Sequence, residues 1–258
     1  MRGSDGRDNK REAGRDVRLT TWNCCQGTDR RVPIMLDRLR PDIAVVPESS
    51  AAPSIAADSL LGPAVPHAWT GTYPQKGLGI FAPAAIRMEV VRPAAGEGEY
   101  GLGVRLELSE AELGVLGIVT VPLHGTGHRT PYMGALVNIL QRHEHMFEAG
   151  DVVVAGDFNC SGQTDPEAFP ELLNEICDTY DLTSAYHSAT GEAVGAETLP
   201  TLWWRHKQSD PFHVDFVLVP RAWVVEHVSV GSFEEWCASG VEARSDHAPV
   251  TVDVAVRD

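Results

Sequence analysis

The chain has 258 residues, of which 43% are hydrophobic and 22% are charged. This composition excludes a disordered or fibrous protein and predicts one large α/β domain, residues 17–258, behind a flexible N-terminal tail, residues 1–16. No segment is apolar for long enough to span a bilayer, and the tail lacks the apolar core of a secretory signal, so we expect a cytoplasmic protein. The formal net charge of −15 disfavours binding to extended duplex DNA, which needs clustered lysine and arginine.

The hydrophobic pattern predicts short strands, each followed by a loop or a helix. In chain order, the predicted strands are residues 17–23, 43–46, 79–82, 88–91, 103–108, 116–121, 152–156, 212–219 and 248–256. Helices are predicted at residues 32–39, 131–148 and 166–180. A glycine-rich connection between residues 91 and 103 predicts a hairpin. The five cysteines have no ligand-like spacing, and we expect reduced thiols in packing positions.

Polar side chains recur at or just beyond the ends of these predicted strands. They are Asn23, Glu48, His124, Asp157, Asn159, Asp215, Asp246 and His247. Functional sites of α/β and sandwich folds gather at such positions. Asp157 and Asn159 are two residues apart, so on an extended backbone their side chains leave the same face. Such a pair can share one small target, and the pattern predicts a functional site at the strand ends.

Five short motifs can be read in chain order. They are Thr21-Trp22-Asn23, Pro41-Asp42-Ile43 through Glu48, Gly156-Asp157-Phe158-Asn159, Val214-Asp215-Phe216 and Ser245-Asp246-His247-Ala248-Pro249. In this order they resemble the motifs of the endonuclease/exonuclease/phosphatase superfamily, and the resemblance spans residues 17–256. It implies a four-layered α-β-β-α sandwich, in which two mixed β-sheets pack face to face with helices outside and the site lies at the rim. It also implies a metal-dependent hydrolase of phosphate ester bonds.

Glu48 is the expected main protein ligand of Mg²⁺, with Mn²⁺ as the alternative ion, because a hard divalent cation prefers carboxylate oxygen. The resemblance implies that Asn23 helps to orient the ion or the phosphate. Asp246 is expected to face the metal or the attacking water. Taken alone, Glu48 would be a solvated acid after a strand and Asn23 a turn residue.

Asp157 is expected to orient or deprotonate the attacking water, and Asn159 to donate its amide to a phosphate oxygen. The resemblance pairs Asp215 with His247, which leaves the other ring nitrogen of His247 for the phosphate. His124 occupies the place of a histidine that protonates the leaving oxygen in several family members. An ordinary surface histidine is the alternative for His124, since the sequence identifies no carboxylate partner for it.

Further residues are expected to shape the substrate pocket: Lys76, Arg129, His187, Trp203 and His213. His213 lies two residues before Asp215 and should share its face of the predicted strand. Trp203, Trp204 and Phe212 can stack on a base or cover a lipid chain, although aromatic residues near strands are more often core. Glu197 is a second candidate in the loop that contains His187.

The predicted function is Mg²⁺-dependent hydrolysis of a phosphodiester by in-line attack of water, as a nuclease or nucleotide phosphodiesterase. The expected partner is a phosphate ester such as single-stranded nucleic acid or a nucleotide. One alternative is a phosphatase or phosphodiesterase of a small molecule or lipid, although no amphipathic basic helix indicates membrane binding. Another alternative is a non-catalytic module that binds phosphate in the same cleft.

Overall fold

A computed structural model describes residues 16–51, 67–83, 85–96, 100–108, 111–125, 127 and 130–256. The helices are α1 (Thr28–Leu39), α2 (Pro131–Arg142), α3 (Glu144–Glu148), α4 (Ala168–Thr179), α5 (Ala185–Thr190) and α6 (Phe233–Trp236). The strands are β1 (Asp16–Thr21), β2 (Ile43–Ser49), β3 (His67–Tyr73), β4 (Lys76–Phe81), β5 (Arg87–Val91), β6 (Gly101–Leu108), β7 (Ala111–Val119), β8 (Val152–Asp157), β9 (Leu182–Ser184), β10 (Leu202–Trp203), β11 (Pro211–Phe212), β12 (Asp215–Pro220), β13 (Val224–Val230) and β14 (Val250–Ala255).

The described strands form two six-stranded sheets and one separate pair, β10 with β11. The first sheet has the order β13-β14-β1-β2-β4-β3, and the second has the order β5-β6-β7-β8-β12-β9. Both sheets are mixed, because β1 and β2 are parallel in the first and β7 and β8 are parallel in the second. In each sheet the parallel pair lies at the centre, so the carboxyl ends of its two strands lie at the same edge of the sheet. We call this edge the rim.

Side chains of the central strands alternate between layers, as the two-residue period of a strand requires. In β2, Val45 points between the two sheets, whereas Val46 packs in the cluster beneath α1 and α6. In β8, Val153 points between the sheets, whereas Val154 packs beneath α2, α3 and α4. The order of layers is therefore helix, sheet, sheet, helix, and the predicted four-layered sandwich is confirmed.

Several predicted elements differ from the observed ones in extent. The predicted helix at residues 131–148 is two helices, because His143 takes the non-helical dihedrals φ −113° and ψ 13° between α2 and α3. The predicted strand at residues 212–219 is also divided, since Phe212 belongs to β11 and Asp215 begins β12. The edge strands β3 and β13 were not predicted; both are partly exposed, although four of the seven residues of β13 are valine.

The described residues begin at the last position of the predicted N-terminal tail. Residue 16 of the predicted tail begins β1, and residues 1–15 lie outside the described residues. All five cysteines are free thiols, as predicted. No helix within the described ranges is both long and apolar enough to cross a membrane.

Candidate active site

The two central acids are brought together by strand pairing in the second sheet. Asp157 is the last residue of β8, and Asp215 is the first residue of β12. The antiparallel register of β8 and β12 places Asp157 directly opposite Asp215. Residues that face each other across such a pair have Cβ atoms about 5 Å apart. Two carboxylates are therefore held side by side at the rim.

Gly156, the residue before Asp157, allows strand β8 to lie close to strand β7. Its φ of 146° lies in a region that favours glycine. A Cβ atom at this position would collide with the backbone carbonyl oxygen of Ile118 in the neighbouring strand β7. The sequence Gly-Asp therefore allows β7 and β8 to pair closely up to the catalytic candidate.

Asp157 is buried and fixed through both carboxylate oxygens. The side-chain amide of Asn23 donates to Asp157 Oδ2 over 3.0 Å. The backbone N–H of Asn159 donates to Asp157 Oδ1 over 2.9 Å. Burial raises the pKa of Asp157, and the charge of Asp215 raises it further, while His247 and these hydrogen bonds oppose the change. A carboxylate with a raised pKa is a better proton acceptor near neutral pH.

Asn159 lies beside Asp157 in a turn with φ 48°. Its side-chain amide donates to the backbone carbonyl oxygen of Thr120 over 3.2 Å. An amide group carries two N–H donors, so one of them remains for another acceptor. The turn therefore presents Asp157 and an amide donor to the same rim.

His247 is held in place by three hydrogen bonds, one from its ring and two from its backbone. Its Nδ1 lies 2.8 Å from Asp215 Oδ2. Its backbone carbonyl accepts a hydrogen bond from Trp22 Nε1 over 2.8 Å, and its backbone N–H donates to Ser245 Oγ over 3.2 Å. Ser245 Oγ in turn donates to the backbone carbonyl of Asn23 over 2.8 Å. The loop before β14 is thus tied to the end of β1.

The free ring nitrogen of His247 points back to the other acid, with Nε2 3.9 Å from Asp157 Oδ2. Burial alone lowers the pKa of His247, but the charge and hydrogen bond of Asp215 outweigh burial and raise it. The protonated ring is therefore favoured. Oδ1 of Asp215 is buried and has no hydrogen-bond partner among the described residues.

Glu48 and Asp246 both lie near Cys25, two residues after Asn23. Glu48 sits at a bulge in β2 with φ 56°, and its Oε1 is 3.0 Å from Lys76 Nζ. Burial raises the pKa of the Cys25 thiol, and the charges of Asp246 and Glu48 raise it further, so both carboxylates lie near Cys25.

The donor set of this rim is suited to a hard cation. Four carboxylates lie at this rim, those of Glu48, Asp157, Asp215 and Asp246. The described ion pairs join them to Lys76 and His247, and Arg31 is a further cation near Cys25. A divalent ion balances such an excess of negative charge. The ligating atoms that lie within 4.8 Å of one another belong to Asp157, Asp215 and His247, and Glu48 and Asp246 are outside that group.

The loop residue His124 of the predicted site is not joined to this constellation by any described contact. His124 is exposed in the loop after β7 and makes no hydrogen bond or ion pair within the described ranges. Arg129 lies outside the described residues.

Trp203 and His213 are both buried side chains, and Trp203 also lines a surface pocket together with Leu199, Gln208 and Phe233. Trp203 is 6% exposed and packs on Phe233 at 5.4 Å between ring centroids. His213 is completely buried against Tyr186, at 4.6 Å, and its Nδ1 donates to the backbone carbonyl of Leu199 over 2.8 Å. His213 packs on the ring of Phe216, at 5.1 Å between ring centroids, and alternation in β12 places Phe216 and Asp215 on opposite faces. His213 therefore does not share the face of Asp215.

His187 belongs to a polar cluster beside His213. Its Nδ1 lies 2.7 Å from Ser184 Oγ, and its Nε2 lies 3.1 Å from Glu197 Oε1. Both oxygens of the buried Glu197 also accept the backbone N–H of Gly195. These contacts satisfy the polar atoms of the cluster and fix the loop before β10.

Thr201 is a positioning residue that the sequence analysis missed. Its buried hydroxyl oxygen accepts the backbone N–H of Val214 over 3.0 Å and that of Asp215 over 3.1 Å. Its backbone carbonyl accepts the N–H of Ala248 over 2.8 Å. Thr201 therefore connects the start of β12 to the loop that carries His247. A threonine in a loop has no pattern that indicates such long-range contacts.

Thr201→Val should destabilise the protein by about 2 kcal/mol or more, because two buried N–H groups lose their acceptor. Thr201→Ser keeps the acceptor and loses one methyl group, so it should cost only about 1 kcal/mol. Urea unfolding of both variants measures the difference. A valine variant at least as stable as the serine variant would show that the hydroxyl does not hold this backbone.

Comparison with known proteins assigns the family. The sequence profile of the Endonuclease/Exonuclease/phosphatase family matches residues 20–247. The chain belongs to this family. It is therefore a hydrolase that acts on phosphate esters, as members of the family are. A comparison with curated proteins gives no match.

Solved structures share the fold over nearly the whole chain. D. rerio TDP2 complexed with a single-strand DNA product has 14% identity and a TM-score of 0.67, covering 93% of this chain and 99% of that one. The 3′ phosphatase NExo from Neisseria, bound to a product DNA hairpin, has 18% identity and a TM-score of 0.65, covering 92% and 98%. The human Nocturnin catalytic domain with a bound sulfate has 17% identity and a TM-score of 0.65, covering 93% of each chain.

Proposed function

We propose that this endonuclease/exonuclease/phosphatase protein is a Mg²⁺-dependent phosphodiesterase that cleaves nucleic acid or nucleotides, with Mn²⁺ as the alternative ion. The observation that carries the proposal is that a carboxylate and an imidazolium, Asp157 and His247, lie close together at one rim. Asp157 is a buried acid with a raised pKa, and His247 is a cation fixed by Asp215, with its Nε2 3.9 Å from Asp157. A proton acceptor and a phosphate-binding cation that face one small space suit attack of water on phosphorus.

In the proposed reaction, Asp157 accepts a proton from water as the bond between the water oxygen and phosphorus forms. His247 donates a hydrogen bond from Nε2 to a non-bridging phosphate oxygen, because its Nδ1 is engaged with Asp215. The free amide N–H of Asn159 supports the same developing charge. The bond between phosphorus and the ester oxygen breaks, and the leaving oxygen takes a proton, for which the exposed His124 is the proposed donor.

We assign the cation to Glu48, Asn23 and Asp246. Their oxygen donors suit Mg²⁺, which prefers carboxylate and carbonyl oxygens over nitrogen and sulfur. When bound, the ion supplies a Lewis acid that polarises the phosphate. Asn23 would connect the cation ligands to the proposed base, because its side-chain amide also donates a hydrogen bond to Asp157. Lys76 holds Glu48 in position from the neighbouring strand β4.

Nucleic acid is the favoured substrate because the TDP2 and NExo structures contain DNA products. NExo is described as a 3′ phosphatase, so hydrolysis of a terminal phosphomonoester is the second candidate. Both candidates use the same attack on phosphorus and differ in the group that leaves.

Purified protein should cleave a labelled single-stranded oligonucleotide with Mg²⁺ or Mn²⁺, and a chelator should abolish the cleavage until the ion is restored. A model phosphodiester, a model phosphomonoester and sphingomyelin are assayed in parallel under the same three conditions. Glu48→Gln should raise the Mg²⁺ concentration needed for half-maximal rate, because it removes a charged ligand. Hydrolysis confined to the phosphomonoester, or cleavage unaffected by the chelator, would contradict the proposal.

A further inference from the structure

The strand β10 runs along the loop that carries His247. The backbone N–H of Trp203 donates to the carbonyl oxygen of Asp246 over 2.8 Å, and Leu202 forms a bridge with His247. The next residue, Trp204, therefore leaves the strand beside the catalytic loop. Trp203 is 6% exposed and Trp204 is 53% exposed, so two adjacent indoles have opposite environments.

The backbone after Trp204 turns sharply. Arg205 and His206 have φ values of 55° and 58°, and neither is a glycine. Such left-handed conformations cost about 1 kcal/mol or more each for ordinary residues, and they concentrate at functional sites. The Arg205 guanidinium lies 5.7 Å from the centroid of the Trp204 ring. The turn thus presents an indole and a cation together in solvent.

The charge of this segment is opposite to that of the whole chain. Residues 205–207 are Arg, His and Lys, within a protein of net charge −15. Lys207 is one of three lysines in the sequence, and both Arg205 and Lys207 are exposed. A local basic segment beside an acidic metal site suits a chain of phosphates that passes over it.

We propose that residues 204–207 bind an unpaired nucleotide next to the phosphodiester that is cleaved, with its base stacked on Trp204 and a flanking phosphate beside Arg205 and Lys207. This inference rests on the proposed phosphodiesterase function and names its substrate class as single-stranded nucleic acid. Stacking of one base on an aromatic side chain contributes about 1–3 kcal/mol. A paired base in a duplex does not offer its face to Trp204, and a single exposed indole beside Arg205 is a small surface for a lipid chain.

The test compares two oligonucleotides of equal length, one with normal bases and one whose nucleotides all lack the base. Trp204→Ala should lower kcat/KM on the normal strand by about ten- to a hundredfold, through KM, because the stacking contribution is lost. It should leave cleavage of the base-free strand unchanged. Trp204→Phe retains an aromatic face and should restore most of the lost activity.

Val90→Ala is the matched control, since Val90 is an exposed apolar side chain on the edge strand β5. It should change neither substrate, and thermal unfolding checks that both alanine variants are folded. Equal loss on the two strands, or no loss on either, would overturn the role of Trp204 while leaving the phosphodiesterase assignment intact. If the unmodified protein cleaves neither strand, the proposed function and this inference both fail.

Discussion

Replacing Asp157 with asparagine should lower kcat on a phosphodiester by about a thousandfold or more, with the fold retained. A positioned general base contributes about 10²–10⁴ in rate, and the amide of asparagine cannot accept the water proton. The side chain keeps its size, so the buried space at the end of β8 stays filled. The hydrogen bond from the Asn159 backbone to Oδ1 can also persist.

Single-turnover kinetics on a labelled oligonucleotide measure the effect, and thermal unfolding reports the fold. Asp178→Asn serves as the control, because Asp178 is an exposed acid paired with Arg221 on the surface. Surface ion pairs contribute little, so the control should retain nearly full activity. Turnover of the Asp157 variant equal to that of the unmodified protein would exclude Asp157 as the base.

The sequence could predict the part of the site that follows from strand ends. Asp157 and Asp215 each adjoin a buried apolar run, and such runs are recognisable without a structure. The contact between Asp215 and His247 was inferred from the family resemblance, and the structure contains it at 2.8 Å. These inferences depend on short motifs whose local geometry is strongly constrained, as Gly156 illustrates.

The sequence could not predict which of two adjacent indoles is exposed. Trp203 and Trp204 follow one another, so alternation places them on opposite faces but does not decide which face is buried. That choice is made by backbone hydrogen bonds of the short strand β10 to the His247 loop, across more than forty residues of chain. The expectation that His213 lies on the same strand as Asp215 was wrong for a related reason. The chain leaves β11 after Phe212 and enters β12 only at Asp215, and nothing in the apolar pattern of residues 212–219 marks this interruption.

Replacing His247 with glutamine should lower kcat by about a hundred- to a thousandfold, comparable to the loss of a donor that stabilises a developing oxyanion. Glutamine still offers an N–H group but carries no positive charge. Asp215→Asn should produce a smaller loss of kcat. The imidazole remains, but the negative charge that orients it and favours its protonated form is removed.

The double variant decides whether these two residues act as one unit. If Asp215 acts only through His247, the double variant should be no slower than His247→Gln alone, since residues of one catalytic unit are not additive. The rates of the four proteins on the same oligonucleotide give this coupling directly. Multiplicative losses would instead mean that Asp215, whose Oδ1 is buried without a hydrogen-bond partner in the described structure, has a separate role at the reacting phosphate.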